Sequence, residues 1–124
     1  MAAPLNLLLV EDEAILALAI ERLLTKASYR VCRRVASGEQ AIEAAREENP
    51  DFILMDIRLA GRLDGIETAH RIRDFSQVPI VFMTGYQDDA TRKRAMLLSP
   101  RAFLIKPVGL YDLKPLLDEV IMKG

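Results

Sequence analysis

Residues 52–56 read FILMD, four apolar side chains in succession closed by an aspartate. A run that short and that continuous is the pattern of a strand buried on both faces, because a half-exposed strand would alternate. LNLLLV at 5–10 and VPIVFMT at 78–84 have the same character, with Pro79 tolerated near the start of the second. Phe103 to Ile105 predicts a further short strand. YRVCRRV at 29–35 differs: it alternates and carries Arg30, Arg33 and Arg34, which marks an edge strand, since charge discourages edge-to-edge pairing.

Between these runs the period changes to that of helices. Asp12 to Ala27 sets Ile15, Leu18, Ala19, Leu23 and Leu24 against Glu21, Arg22 and Lys26, with acids expected in the first turn, where the helix dipole favours them. Ser37-Gly38-Glu39 opens a second helix with Ala41, Ile42 and Ala45 inward, and Asn49-Pro50 stops it. Asp64-Gly65 begins a third through Ile66, Ala69 and Ile72. Asp88 to Leu98 predicts a fourth with a weaker pattern. Leu110, Leu113, Leu116, Leu117, Val120 and Ile121 give a fifth, running to the C-terminus. Five strands each followed by a helix need crossover connections, hence an α/β fold with a mostly parallel sheet covered on both faces. No repeat or linker interrupts residues 1–124, which read as one domain.

Composition narrows the function classes. Of 124 residues, 51% are apolar and 28% charged, the balance of a globular protein. Cys32 is the only cysteine, which excludes an internal disulfide, and with one histidine it cannot build a structural zinc site. Seventeen Lys and Arg against eighteen Asp and Glu argue against a dedicated nucleic-acid binder. No apolar run nears the roughly 18 residues of a membrane helix, and Met-Ala-Ala-Pro starts no signal peptide. The expectation is a soluble, cytoplasmic domain with no membrane insertion.

Open α/β sheets bind ligands beyond the carboxyl ends of their strands. Four of the five strands deliver a polar group there: Glu11 and Asp12 after the first, Asp56 at the end of the third, Thr84 at the end of the fourth, Lys106 after the fifth. Three converging carboxylates repel one another unless a cation joins them, and all-oxygen ligands suit a hard ion such as Mg²⁺. Lys106 adds a positive charge and Thr84 a hydroxyl, both suited to a phosphoryl group, and a carboxylate can itself be the nucleophile. Singly, each residue has an ordinary structural reading, as a turn former, a first-turn acid, a helix cap or a solvated lysine. Their occurrence together at successive strand ends favours a site. His70 reads as a surface residue, Cys32 as a small packed hydrophobe, and Arg92, Lys93 and Arg94 as a solvated helix face.

LLLVEDE at 7–13, ILMDIRLAGRLDGIE at 53–67, VFMTGY at 81–86 and FLIKPV at 103–108 together resemble the receiver domain of two-component response regulators, the chemotaxis receiver among them. The resemblance covers nearly the whole chain. It implies a flavodoxin-like, doubly wound sheet of five parallel strands in the order 2-1-3-4-5 with five helices. It further implies Asp56 as phosphoacceptor, Asp12 as a direct Mg²⁺ ligand, Glu11 as the acid holding metal waters and the Arg58 carbonyl as the third protein ligand. Thr84 and Lys106 match the residues that grip the phosphoryl group, Phe103 matches the aromatic switch, and the Lys106–Pro107 bond is expected to be cis.

Departures from the family pattern are local. The pair is Glu-Asp, where Asp-Asp is also common. The loop after Asp56 has Ala60 where proline is frequent and is one residue longer than the commonest form. Gly85 stands in place of a small alanine. Arg58 and Tyr86, each two residues past a site residue, are bulky, which predicts restricted water attack and a long-lived phosphorylated state. The resemblance implies a sensor histidine kinase or phosphotransfer protein as donor. Output would pass from the surface of the fourth helix, fifth strand and fifth helix to another molecule, with the chain a monomer or a phosphorylation-dependent dimer. It implies a switch, not a turnover enzyme.

Other readings fit less well. A flavin carrier of this topology needs a phosphate cradle where Glu11-Asp12-Glu13 stands, and an aspartyl phosphatase needs an acid where Arg58 stands. An interaction domain that works without phosphorylation has no need of all five positions filled with competent residue types.

Overall fold

The computed structural model describes residues 5–86 and 88–123. Its elements alternate throughout: β1 Asn6–Val10, α1 Ala14–Lys26, β2 Arg30–Val35, α2 Gly38–Glu48, β3 Phe52–Asp56, α3 Gly65–Arg73, β4 Ile80–Thr84, α4 Asp89–Met96, β5 Ala102–Ile105 and α5 Leu110–Lys123. The strands form one parallel sheet in the order β2-β1-β3-β4-β5, the flavodoxin-like arrangement expected, with β2 at one edge.

Strand alternation sorts the core into two layers. Leu8, Val10, Ile53, Met55, Ile80 and Phe82 pack with Ala41, Ala44 and Ala45 of α2, Ile66, Ala69 and Ile72 of α3, and Ala95 of α4. Leu7, Leu9, Phe52, Leu54, Val81 and Met83 face the other way, against Ala17, Ile20 and Leu24 of α1 and Leu113 and Leu117 of α5. The continuous apolar runs of β1, β3 and β4 are explained by this two-sided burial. Each buried leucine or isoleucine contributes on the order of 1.5–3 kcal/mol.

Two expectations for the first helix are corrected. It begins at Ala14 with Glu13 as N-cap, so no acid lies in its first turn, and Asp12 is free to turn toward the sheet end. Its inner face is Ala17, Ile20 and Leu24, whereas Ile15 is 88% exposed and Leu18 and Ala19 also face out. AILALAI is apolar all round, so periodicity alone does not select a face, and the small Ala17 seats against the sheet. On α5, Ile121 of the apolar repeat is exposed.

The termini of α3 and α2 hold the loops that matter for the site. Asp64 accepts a hydrogen bond from the Glu67 amide while Glu67 accepts one from the Asp64 amide, a complete capping box. Gly65 follows because a side chain there would run into the Asp56 carbonyl, and its amide donates to the Ile57 carbonyl at 2.7 Å. Asn49, in the left-handed region at φ 44°, ends α2. The Lys106–Pro107 peptide is cis, as expected.

Candidate functional site

Parallel register brings the polar strand ends together. Val10 lies beside Met55, Asp56 beside Met83, and Thr84 beside Ile105, so Glu11, Asp56, Thr84 and Lys106 emerge on one rim. Glu11, Asp56 and Thr84 are each no more than 3% exposed. Burying unpaired charge is costly, so the bonds they make define the site.

The Lys106 ammonium donates to Glu11 Oε1 at 2.7 Å and to Asp56 Oδ2 at 3.0 Å. Backbone amides take other carboxylate oxygens: Glu13 N–H donates to Glu11 Oε2 at 3.1 Å, and Arg58 N–H to Asp56 Oδ1 at 3.2 Å. From the loop after β3, Ala60 N–H donates to Asp12 Oδ2 at 3.1 Å. One carboxylate oxygen from each of Glu11, Asp12 and Asp56 lies within 4.8 Å of the others.

Three carboxylates against one ammonium leave a formal charge of −2 when all are ionised, the deficit that one divalent cation removes. Burial, followed by the adjacent Glu11, pushes the Asp56 carboxyl up to about 7, with Lys106 opposing in part. Burial also raises Glu11, but hydrogen bonding to Asp56 and Lys106 outweighs it and leaves that carboxyl below its ordinary value. The Lys106 ammonium loses from burial and gains more from its two carboxylate partners, so its value lies above the ordinary one. Asp56 is thus the more readily protonated of the two carboxyls, and a hard divalent ion bound there would compete with that proton. The donor set, all oxygen and partly amide-bonded, fits Mg²⁺, with Glu11, Asp12 and Asp56 as the residues that would hold it.

Glu11, Asp12, Asp56 and Lys106 are thus brought into one cluster. Thr84 stands at the next strand end with its hydroxyl turned to its own loop: it donates to the Tyr86 carbonyl at 2.9 Å and accepts from the Tyr86 amide at 3.2 Å. Arg58 meets Asp56 through its amide. Phe103 lies apart, half-buried on β5 beside Phe82, with the Arg92 guanidinium 5.3 Å from its ring centroid. A second such stack, Arg58 over Tyr86 at 5.0 Å, covers a cavity of about 280 Å³ that Thr84 also lines.

The amides of Glu13 and Ala60, and both arginine–aromatic stacks, escaped sequence reasoning. Backbone donors leave no residue-type signal, and each stack joins two different segments, the loops after β3 and β4 in one case and α4 with β5 in the other. His70 is exposed, as expected. Cys32 is half-buried and its thiol donates to the Leu7 carbonyl at 3.2 Å. The α4 cations Arg92, Lys93 and Arg94 are exposed, as expected, with Arg94 paired to Asp64 at 3.2 Å and Arg92 over the Phe103 ring.

Residues 7–118 match the family model for the response regulator receiver domain. Over 122 residues the chain is 30% identical to the transcriptional regulatory protein PdtaR of Mycobacterium tuberculosis, covering 98% of this chain and 59% of that protein. It is 34% identical to the transcriptional regulatory protein AfsQ1 of Streptomyces coelicolor, covering 96% and 52%. Among solved structures, the signal receiver domain of a modulated diguanylate cyclase from Desulfovibrio desulfuricans G20 superposes with a TM-score of 0.90 at 36% identity, covering 98% of this chain and 96% of that one. The chain spans little more than half the length of these two curated relatives.

Proposed function

Since the chain belongs to the response regulator receiver domain family of two-component systems, we propose that it is a phosphoryl-accepting switch whose acceptor is Asp56. The observation that carries this reading is the Lys106 ammonium bridging Glu11 and Asp56 at 2.7 and 3.0 Å inside a cluster of three carboxylates. Such a cluster is expensive to bury and gains its purpose from an anion and a cation brought in together.

When bound, Mg²⁺ supplies charge neutralisation for the acidic cluster and for the oxygens of an incoming phosphoryl group. Asp12, Asp56 and the Arg58 carbonyl would hold it directly, and Glu11 would hold its waters. The Asp56 carboxylate attacks phosphorus in line. The bond from phosphorus to the imidazole nitrogen of a histidine kinase or phosphotransfer protein breaks as the Asp56 Oδ–P bond forms. Lys106 exchanges its carboxylate contact for a phosphoryl oxygen, and Thr84 donates its hydroxyl to another. Departure of that hydroxyl from its resting position opens room toward which Phe103 turns, altering the surface of α4, β5 and α5 that meets a downstream partner.

The chain acts in this reading as a switch that promotes its own phosphorylation and dephosphorylation, not as a turnover enzyme. It works as one domain over residues 1–124, in the cytoplasm, as a monomer or a phosphorylation-dependent dimer, without direct contact to nucleic acid. Among the described residues no helix is long and apolar enough to cross a membrane.

Incubation with a small phosphodonor and Mg²⁺ tests the assignment. An acid-labile label on the wild type that is absent from Asp56→Asn is expected; equal label on both proteins overturns it.

A further inference from the structure

Thr84 is the residue with the most to change and the least freedom to do so. Both hydrogen-bonding functions of its hydroxyl are spent on the backbone of Tyr86, two residues on. Tyr86 in turn is held from outside its own loop, because its ring lies under the guanidinium of Arg58 with a centroid distance of 5.0 Å. Arg58 belongs to the loop after β3, and its amide is bonded to Asp56 Oδ1. One continuous set of contacts therefore runs from the Asp56 carboxylate to the Thr84 hydroxyl.

The surroundings allow this set to break as a unit. Gly85, between the two bonded residues, is exposed, and a Cβ there would meet nothing within 4 Å. Packing does not demand a glycine at 85; it supplies backbone freedom where the loop would hinge. The cavity of about 280 Å³ beside the stack leaves the loop space to move. Asp88, which caps α4 by accepting from the Thr91 amide and hydroxyl at 2.7 and 2.8 Å, lines the same cavity.

We propose that the Arg58–Tyr86 stack is a latch that keeps the Thr84 hydroxyl committed to its own loop, and that an anionic group on Asp56 opens it by attracting the Arg58 guanidinium and the Thr84 hydroxyl together. Arg58 and Tyr86 are positioning residues in this scheme. The proposal rests on the reading of Asp56 as phosphoacceptor, but its resting half concerns the unmodified protein and stands or falls separately.

An exposed arginine–aromatic stack accounts for about a two- to fivefold bias in an equilibrium. Tyr86→Leu removes the stack while keeping apolar bulk, and Tyr86→Phe keeps the ring. Tyr86 is 57% exposed, so neither substitution removes a core contact. Acetyl phosphate with Mg²⁺ transfers its phosphoryl group to an Asp56 oxygen and releases acetate. The initial rate of that transfer is expected to rise about two- to fivefold in Tyr86→Leu and to stay at the wild-type value in Tyr86→Phe. Without any phosphodonor, the Thr84 methyl resonance of Tyr86→Leu is expected to move in the direction that beryllium fluoride moves it in the wild type, with the Tyr86 ring resonances of the wild type moving on the same addition. An unmoved Thr84 methyl in unmodified Tyr86→Leu overturns the latch, as does a rate equal to wild type in that variant. Failure of the wild type to take up either phosphoryl or beryllium fluoride removes the acceptor reading instead, and an unmoved Thr84 methyl in unmodified Tyr86→Leu overturns the latch in that case too.

Discussion

The Lys106 ammonium lies 3.0 Å from Asp56 Oδ2, across 50 residues of chain, and the two side chains are only 15% and 4% exposed. Replacing Lys106 with methionine removes the only cation bonded to either Glu11 or Asp56 among the described residues. A loss of about 2–4 kcal/mol is expected at pH 8, where both carboxyls are driven to ionise. A smaller loss is expected at pH 5, where Asp56 keeps its proton. Urea unfolding at the two pH values measures the difference, and equal losses would contradict a raised Asp56 carboxyl.

Asp56 is an acid whose folded-state value is raised from 3.8 to about 7. Between these values the folded chain holds a proton that the unfolded chain has released, so this residue's contribution to stability declines as pH climbs from about 4 to about 7. Asp56→Asn removes that decline. The variant is expected to match the wild type at pH 4 and to exceed it by about 1–3 kcal/mol at pH 8 without Mg²⁺, read from paired thermal or urea melts.

A divalent ion bound by Glu11, Asp12 and Asp56 stabilises the folded state by mass action, about 1.4 kcal/mol at ten times its dissociation constant. Melting temperature is expected to rise with Mg²⁺ and to rise more at pH 8 than at pH 6, because the ion displaces the Asp56 proton. Asp12→Ala is expected to abolish the response and also to release the Ala60 amide, visible as faster hydrogen exchange at that position. Chelator has no effect on the Asp12→Ala melt if the assignment holds.

Gly65→Ala forces a methyl group against the Asp56 carbonyl at the point where α3 meets β3. A loss of about 1–3 kcal/mol is expected, with a weaker Mg²⁺ response because the Asp56 backbone must shift. A wild-type melt for this variant would show that the contact is relieved elsewhere.

Arg58 and Tyr86 are bulky, and their side chains stack beside the cavity that Thr84 lines. The phosphorylated wild type is expected to decay slowly, and the double variant Arg58→Ala, Tyr86→Ala several-fold faster, followed by loss of acid-labile phosphate. Rapid decay that is the same in both would remove any shielding role.

The strand positions and two-sided core were legible because β1, β3 and β4 carry unbroken apolar runs that only a covered parallel sheet explains. Placing Glu11, Asp56, Thr84 and Lys106 on one rim followed from the same logic, since parallel strands end together. The inward face of α1 was not legible, because a helix apolar on every side leaves the choice to packing. Nor was the resting partner of the Thr84 hydroxyl, which depends on a loop conformation that residue types alone do not specify.

β1 and β3 are each flanked by neighbours on both sides, while β5 is paired with β4 alone. The acidic cluster is thus rooted in the innermost strands, whose amides are the last to exchange with deuterium. Phe103 and Lys106 stem from the sheet's margin, which frays at lower energetic cost. A disturbance begun at the rigid centre therefore travels outward along a gradient of decreasing stiffness, and an isotope-exchange profile would show the margin loosening while the centre keeps its protection.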